Sequence, residues 1–230
     1  MKPVVIGSNM LNEVDQLKGW VDNMKQLTDA GIFVVDGGST DGTVEYLESR
    51  DVFVVKDNII QREGYSAARN QMRKIAAMKF PHAHWFVYFD ADERIDECDF
   101  HNFRCIKDQL DESKYDVIAF PRLDWHDESR KKCANDLHIK PDYQGRMTRI
   151  YSPLSYARKC HEILVGFIGI YAVLTNPKIQ HYHRSAGQEK RDLVGKLCAK
   201  LHAEDDEHGQ EYPKHHKEDM YYNRFLEEGL

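Results

Sequence analysis

At 230 residues, with 41% apolar and 30% charged side chains and a formal net charge of -6, the chain has the composition of one globular domain able to bury a sizeable core. That charge provides no global basic field to gather nucleic acid. No apolar run approaches the ~20 residues that span a bilayer, and the opening Met1-Lys2-Pro3-Val4-Val5-Ile6-Gly7 begins a strand where a secretory leader would differ in layout.

In chain order, Pro3 to Ser8 reads as a short strand. It runs into polar Asn12 and Glu13, before the helical spacing of Val14, Leu17, Trp20, Val21 and Met24. Gly31 stops that helix, and Ile32 to Val35 forms a second buried strand. It ends in Asp36-Gly37-Gly38-Ser39-Thr40-Asp41-Gly42-Thr43, a loop whose glycines permit close backbone approach to a ligand. Asp41 or Thr43 can cap the following helix, Val44 to Ser49. Asp51 to Val55 makes a third strand, Gln61 to Ser66 a polar loop, and Ala67 to Met78 a strong helix pattern with Arg69 near its start.

Trp85-Phe86-Val87-Tyr88-Phe89 is a continuous apolar run, expected of a strand buried on both faces. Asp90, Asp92 and Glu93 follow at its C-terminal end, where open α/β sheets place their ligand crevice. Carboxylates at i and i+2 in a turning backbone can reach one hard cation and the phosphates it bridges. Alternating strands and helices over these ninety residues predict an α/β fold with a mostly parallel, doubly wound sheet.

The second half opens with a polar helix near Asp99 to Leu110 and a strand from Tyr115 to Phe120. A charged, aperiodic excursion over 127–143 is expected to cross the site. Strands are expected at Gln144 to Tyr151, Cys160 to Val165 and Lys178 to His183, then a helix from Ser185 to His202. The leucines of that helix suit packing on the core, and its basic residues Lys190, Arg191, Lys196 and Lys200 suit a solvated face or a peripheral membrane contact. The five cysteines, Cys98, Cys105, Cys133, Cys160 and Cys198, are scattered. They form none of the close pairs of a zinc site and suit structural, reduced thiols in a cytosol.

Four features in order carry a family resemblance: the first strand leading to Asn12-Glu13; Val35-Asp36-Gly37-Gly38-Ser39-Thr40-Asp41-Gly42-Thr43; Gly64-x-x-x-Ala68-Arg69-Asn70; and Phe89-Asp90-Ala91-Asp92-Glu93. Together they resemble the GT-A glycosyltransferases, specifically the inverting family 2. In the second half, Gln144-x-Arg146, His161-Glu162 and Ile179-x-His181 resemble small bacterial lipopolysaccharide-core and prophage-type members. One departure stands out, since the family usually carries two acids before its Gly-Ser-Thr-Asp-Gly run and here the second is Gly37.

The resemblance implies a GT-A catalytic domain over 1–184, with a nucleotide-sugar half over 1–98 and an acceptor half over 99–184, and a C-terminal helical extension over 185–230. It implies metal-dependent, inverting transfer of a sugar, hexosyl in type, from a nucleoside diphosphate, UDP foremost, to an unidentified glycan, lipid-linked, protein or modified nucleic-acid acceptor. Asn12, Glu13, Asp36, Asp41, Arg69 and Asp90 would bind the nucleotide sugar, and Asp92, Asp90 and His181 would hold Mn2+ or Mg2+. Glu162 would be the base, with Asp127 and Asp124 in reserve. His183 competes with His181 as a ligand, and Trp125 and Tyr65 are candidates to stack on sugar or base. A catalytically silent nucleotide-sugar binder is the alternative from another class. A nucleotidyltransferase ranks lower, because the loop after the first strand is neither glycine-rich nor basic.

Overall fold

The computed structural model describes residues 2–109, 114–126, 129–131, 133, 142–182 and 188–207. Asp127, His183, most of the 127–143 excursion and the tail from 208 lie outside these residues.

The α/β expectation is borne out. One sheet runs in the order β3 (Phe53–Lys56), β2 (Gly31–Asp36), β1 (Val4–Met10), β4 (Trp85–Tyr88), β7 (Asp142–Arg149), β6 (Tyr115–Asp124), β11 (Ile179–His181), β5 (Glu93–Ile95). The first four strands are mutually parallel. β7 lies antiparallel between β4 and β6, while β11 runs parallel to β6 and antiparallel to β5. β10 (Ile170–Val173) pairs with the first half of β6, and β8 (Ser155–Ala157) with β9 (Ile163–Val165) forms a separate two-stranded ribbon.

Alternation sorts β1 between two cores, as the pleat requires. Val4 and Ile6 face α1 (Val14–Leu27), α2 (Thr43–Ser49) and α5 (Phe100–Gln109), packing with Trp20, Leu47 and Phe103. Val5 faces α4 (Tyr65–Lys79) with Phe33 and Phe86. Between them, Gly7 leaves room for these rings: a Cβ there would lie 2.6 Å from Phe33 and 2.8 Å from Phe86. On α4 the residues meeting the rings are Ala68, Met72 and Ala76, small or pliable enough to let the helix lie close to the sheet.

Several element bounds differ from expectation. Ile59–Glu63 is a short helix, α3, overlapping the start of the expected Gln61 to Ser66 loop. Five residues are too few for helical periodicity to register, and Arg62 steadies the turn through Asp57 and Asn58. The third strand starts at Phe53, two residues later than expected. Glu93–Ile95 forms strand β5 ahead of α5, held by its antiparallel ladder with β11. Of the expected Cys160 to Val165 strand, only Ile163–Val165 is extended. The helix from Ser185 is observed as α6 (Gln188–Glu207); its Leu201 is buried, while Leu193 is 62% exposed. No helix among the described residues is long and apolar enough to cross a membrane.

Candidate active site

The acidic turn after β4 opens onto a cleft of ≈1710 Å³. Three remote segments meet there because β11 sits between β5 and β6. Register pairs His181 with Glu93 on one side and with Asp124 on the other. The Asp92 carbonyl accepts a hydrogen bond from the Tyr182 amide at 3.0 Å, tying the turn to the end of β11.

His181 is clasped between two carboxylates. Its Nδ1 donates to Asp124 Oδ1 at 2.5 Å, and its Nε2 lies 3.4 Å from Asp92 Oδ2. Burial works against the imidazolium, but the hydrogen bonds to Asp124 and Asp92 overcome it, and the pKa is pushed up to about 10. With Nδ1–H held by Asp124, Nε2 is the nitrogen a metal would take, displacing the proton it shares with Asp92. Of the two histidines, His181 stands in the site and His183 lies outside the described residues.

Asp90 takes a different position from Asp92. Arg69 Nη2 reaches its Oδ1 at 2.9 Å, and Arg146 Nη2 reaches its Oδ2 at 3.0 Å. Burial raises its pKa, and the two guanidiniums override this, holding the carboxyl well below the usual range. Both guanidiniums stack on Tyr88, 3.8 and 4.1 Å from the ring centroid. Arg146 also binds Glu93, which is fully buried and has Arg122 at 3.7 Å as its second cation. The turn itself is anchored from behind by Trp20, whose indole N–H donates to the Asp90 carbonyl at 3.0 Å.

Arg69 joins this acidic end to Glu162. Its Nε donates to Glu162 Oε1 at 3.0 Å. The approach depends on Gly64 at the head of α4, with φ 91°, where a Cβ would stand 2.7–2.8 Å from Lys159. Tyr65 N–H donates to the Lys159 carbonyl at 2.7 Å. The Glu162 side chain is 15% exposed in the cleft wall. Its electrostatic partner is Arg69, whereas the expected neighbour His161 pairs with His202, ring centroids 5.0 Å apart.

The remaining predicted residues divide. Asn12 and Glu13 line the cleft, as do Trp125 and Tyr65. Asn12 Oδ1 accepts the Thr40 amide at 2.9 Å, and the Glu13 amide donates to Thr43 Oγ1 at 2.8 Å. Asp36 is 1% exposed and its oxygens are engaged by the Gly38 and Ser39 amides and the Ser39 hydroxyl. Asp41 caps two helices at once, accepting the Val14 amide at 3.1 Å and the Thr43 amide at 3.0 Å. Asp36 and Asp41 therefore shape the loop, and Gly37 forms the cleft wall beside them. Asp124, one reserve base, is committed to His181, and Asp127 lies outside the described residues.

Sequence reasoning assigned no role to Arg146, Arg122 or Glu93. The available signal was a charged residue, Arg146, at an inward position of the alternating strand β7, where only a buried acid can balance it.

A parallel half followed by an antiparallel strand laid beside the acidic turn is GT-A architecture, and the fold assigns the chain to that class of glycosyltransferase. Within it, the chain belongs to glycosyl transferase family 2, whose profile matches residues 10–168. Among solved structures, S. aureus TarS is similar at 14% identity and a TM-score of 0.52, over 79% of this chain and 36% of that one. The chain thus spans about a third of TarS. Glucosyl-3-phosphoglycerate synthase from Mycobacterium tuberculosis, solved with Mn2+, UDP and glucosyl-3-phosphoglycerate, is similar at 19% identity and a TM-score of 0.39, over 53% of this chain and 44% of that one. No curated protein matches the chain.

Proposed function

We propose that the chain transfers a sugar, with inversion, from a nucleoside-diphosphate donor to an acceptor hydroxyl, with a divalent cation held by Asp92 and His181. The observation that carries this reading is the pair itself: a carboxylate oxygen 3.4 Å from an imidazole nitrogen whose ring is oriented by Asp124. Two donors so spaced can share one ion, and a mixed carboxylate–imidazole set favours Mn2+ over Mg2+, which prefers oxygen ligands and its own waters. When bound, the ion neutralises charge growing on the departing diphosphate.

The chain's own residues do the rest. Asn12 and Glu13 border the nucleoside, while Asp36 and Asp41 keep their loop in shape. Arg69 and Arg146 present positive charge along the floor of the cleft, and Asp90 fixes both guanidiniums. Glu162 is the base: as the acceptor oxygen bonds to the anomeric carbon, its proton passes to the carboxylate and the carbon–phosphate-oxygen bond breaks, its electron pair leaving on the diphosphate. UDP-sugars are the first donors to try.

The test incubates the purified chain with UDP-, GDP-, CMP- and dTDP-sugars in Mn2+ or EDTA and records released nucleotide. Slow hydrolysis of one donor, abolished by EDTA and by Asp92→Ala or His181→Ala, is expected. Glu162→Gln is expected to bind the nucleotide with Mn2+ and to be inactive towards acceptor. No turnover together with no thermal response to any nucleotide would refute the proposal.

A further inference from the structure

We infer that the chain carries a second metal site, a structural zinc staple made by Cys160, His161, Cys198 and His202, which pins α6 to the loop bearing Glu162. The ligand atoms of Cys160, His161 and His202 already lie within 4.8 Å of one another, and Cys198 lines the same cleft as Cys160 and His161. A zinc tetrahedron with Zn–S of about 2.3 Å and Zn–N of about 2.1 Å has edges of roughly 3.4–3.8 Å, so these three donors need to close by about an ångström, and Cys198 would complete the set from α6.

The four donors come as two pairs. Cys198 and His202 are i and i+4 on α6, one turn apart on the same face. Cys160 and His161 are consecutive, an arrangement that points side chains to opposite sides of an extended chain. The left-handed φ of 51° at His161 breaks that alternation. Thiolate and imidazole donors select zinc over manganese or magnesium, and four protein donors make a closed structural site with no position for substrate.

The fold also supplies a reason for a staple. α6 is held at this end by Leu201, by Asp205 accepting the Lys159 amide at 2.8 Å, and by the Lys159–Glu204 pair at 2.7 Å. Further along, Leu193 and Val194 remain 62% and 37% exposed, so apolar burial alone holds the helix weakly. Zinc would tie it across Lys159–Glu162, the stretch that meets Gly64 and Arg69.

The full chain, expressed in zinc-supplemented medium and dialysed with a phosphine reductant, is assayed for bound metal by mass spectrometry. Co2+ is then substituted and its absorption recorded. About one zinc per chain is expected, with the intense red d–d bands of tetrahedral cobalt and a sulfur-to-cobalt charge-transfer band. Asp92→Ala keeps this zinc, whereas Cys198→Ala and His202→Ala lose it; both sit on a part-exposed helix face where alanine is well tolerated. Far-ultraviolet dichroism verifies that these variants fold. Zinc that disappears with Asp92→Ala, cobalt without a thiolate band, or a metal-free wild-type chain whose Cys160 and Cys198 titrate as free thiols or a disulfide would overturn the inference.

Discussion

Replacing Arg146 by alanine probes the electrostatic centre of the fold. Its side chain is 3% exposed and that of Glu93 is not exposed at all. Removing the guanidinium leaves Glu93 facing only Arg122 at 3.7 Å, and takes from Asp90 one of its two cations. Deleting one partner of a buried ion pair costs about 3–5 kcal/mol, because the surviving charge stays desolvated. In a chain of this size each kcal/mol moves Tm by about 2–4 °C, so the variant should melt about 6–20 °C lower. Urea unfolding followed by tryptophan fluorescence gives the free energy directly. The companion variant Arg146→Met/Glu93→Gln removes both charges at similar volume and should recover much of the loss. A single-variant cost under about 1 kcal/mol, or a double variant no better than the sum of its parts, would refute the view that Arg146 compensates a buried acid.

Gly64→Ala should be at least as damaging locally, since its Cβ would stand 2.7–2.8 Å from Lys159 at a φ of 91°. The expected outcome is loss of transfer activity together with faster amide exchange at Tyr65, whose N–H is held by the Lys159 carbonyl; unchanged exchange would remove Gly64 from the argument. Asp116 offers a pH-dependent prediction. Burial raises its pKa, but the amides of Gly169 and Ile168, with Arg149, lower it below the ordinary 3.8. A depressed carboxyl stabilises the fold above its unfolded pKa and loses that contribution as pH falls through the folded value. Asp116→Asn should thus be less stable than the parent at neutral pH, with the gap in unfolding free energy narrowing below the ordinary value. A gap that persists unchanged into acid would contradict this.

The first half was legible because its strands are buried on both faces and so read as apolar runs, each followed by a polar turn at the same sheet edge. The second half was less so. β5, β8 and β10 have only three, three and four residues, too short for alternation to count, and they exist through ladders with distant partners. The same limit governs the site. Asp90, Asp92, Arg69, Glu162 and His181 could be picked out one by one, but that His181 is shared between Asp92 and Asp124 follows from the β5–β11–β6 register. Arg146 was visible only as part of a motif, its partners hidden until β7 inserts beside β4. The cysteines show the same limit. Cysteine spacing alone passes over Cys160, whose thiol the fold sets within 4.8 Å of ligand nitrogens of His161 and His202.

Arg69 is the residue through which the two ends of the cleft become one site. Its guanidinium spends Nη2 on Asp90, in the acidic turn, and Nε on Glu162, 93 positions away in sequence. A lysine could carry the charge but not serve two carboxylates in fixed directions, because it lacks the planar fork. The geometry also sets which element must be rigid. Arg69 stands on α4, whose start is locked against Lys159 at Gly64, and the ring of Tyr88 supports the guanidinium from the end of β4. The acidic turn is fixed by Trp20 and the Tyr182 amide. What remains adjustable is the short Cys160–Glu162 loop, joined to α4 by Arg69 on one side and to α6 by Asp205 and Glu204 through Lys159 on the other. Both ties fall within four residues, so α6 is joined to Glu162 more directly than to Asp92 and His181. The Glu162 end is therefore the part of this cleft that the C-terminal helix holds most directly.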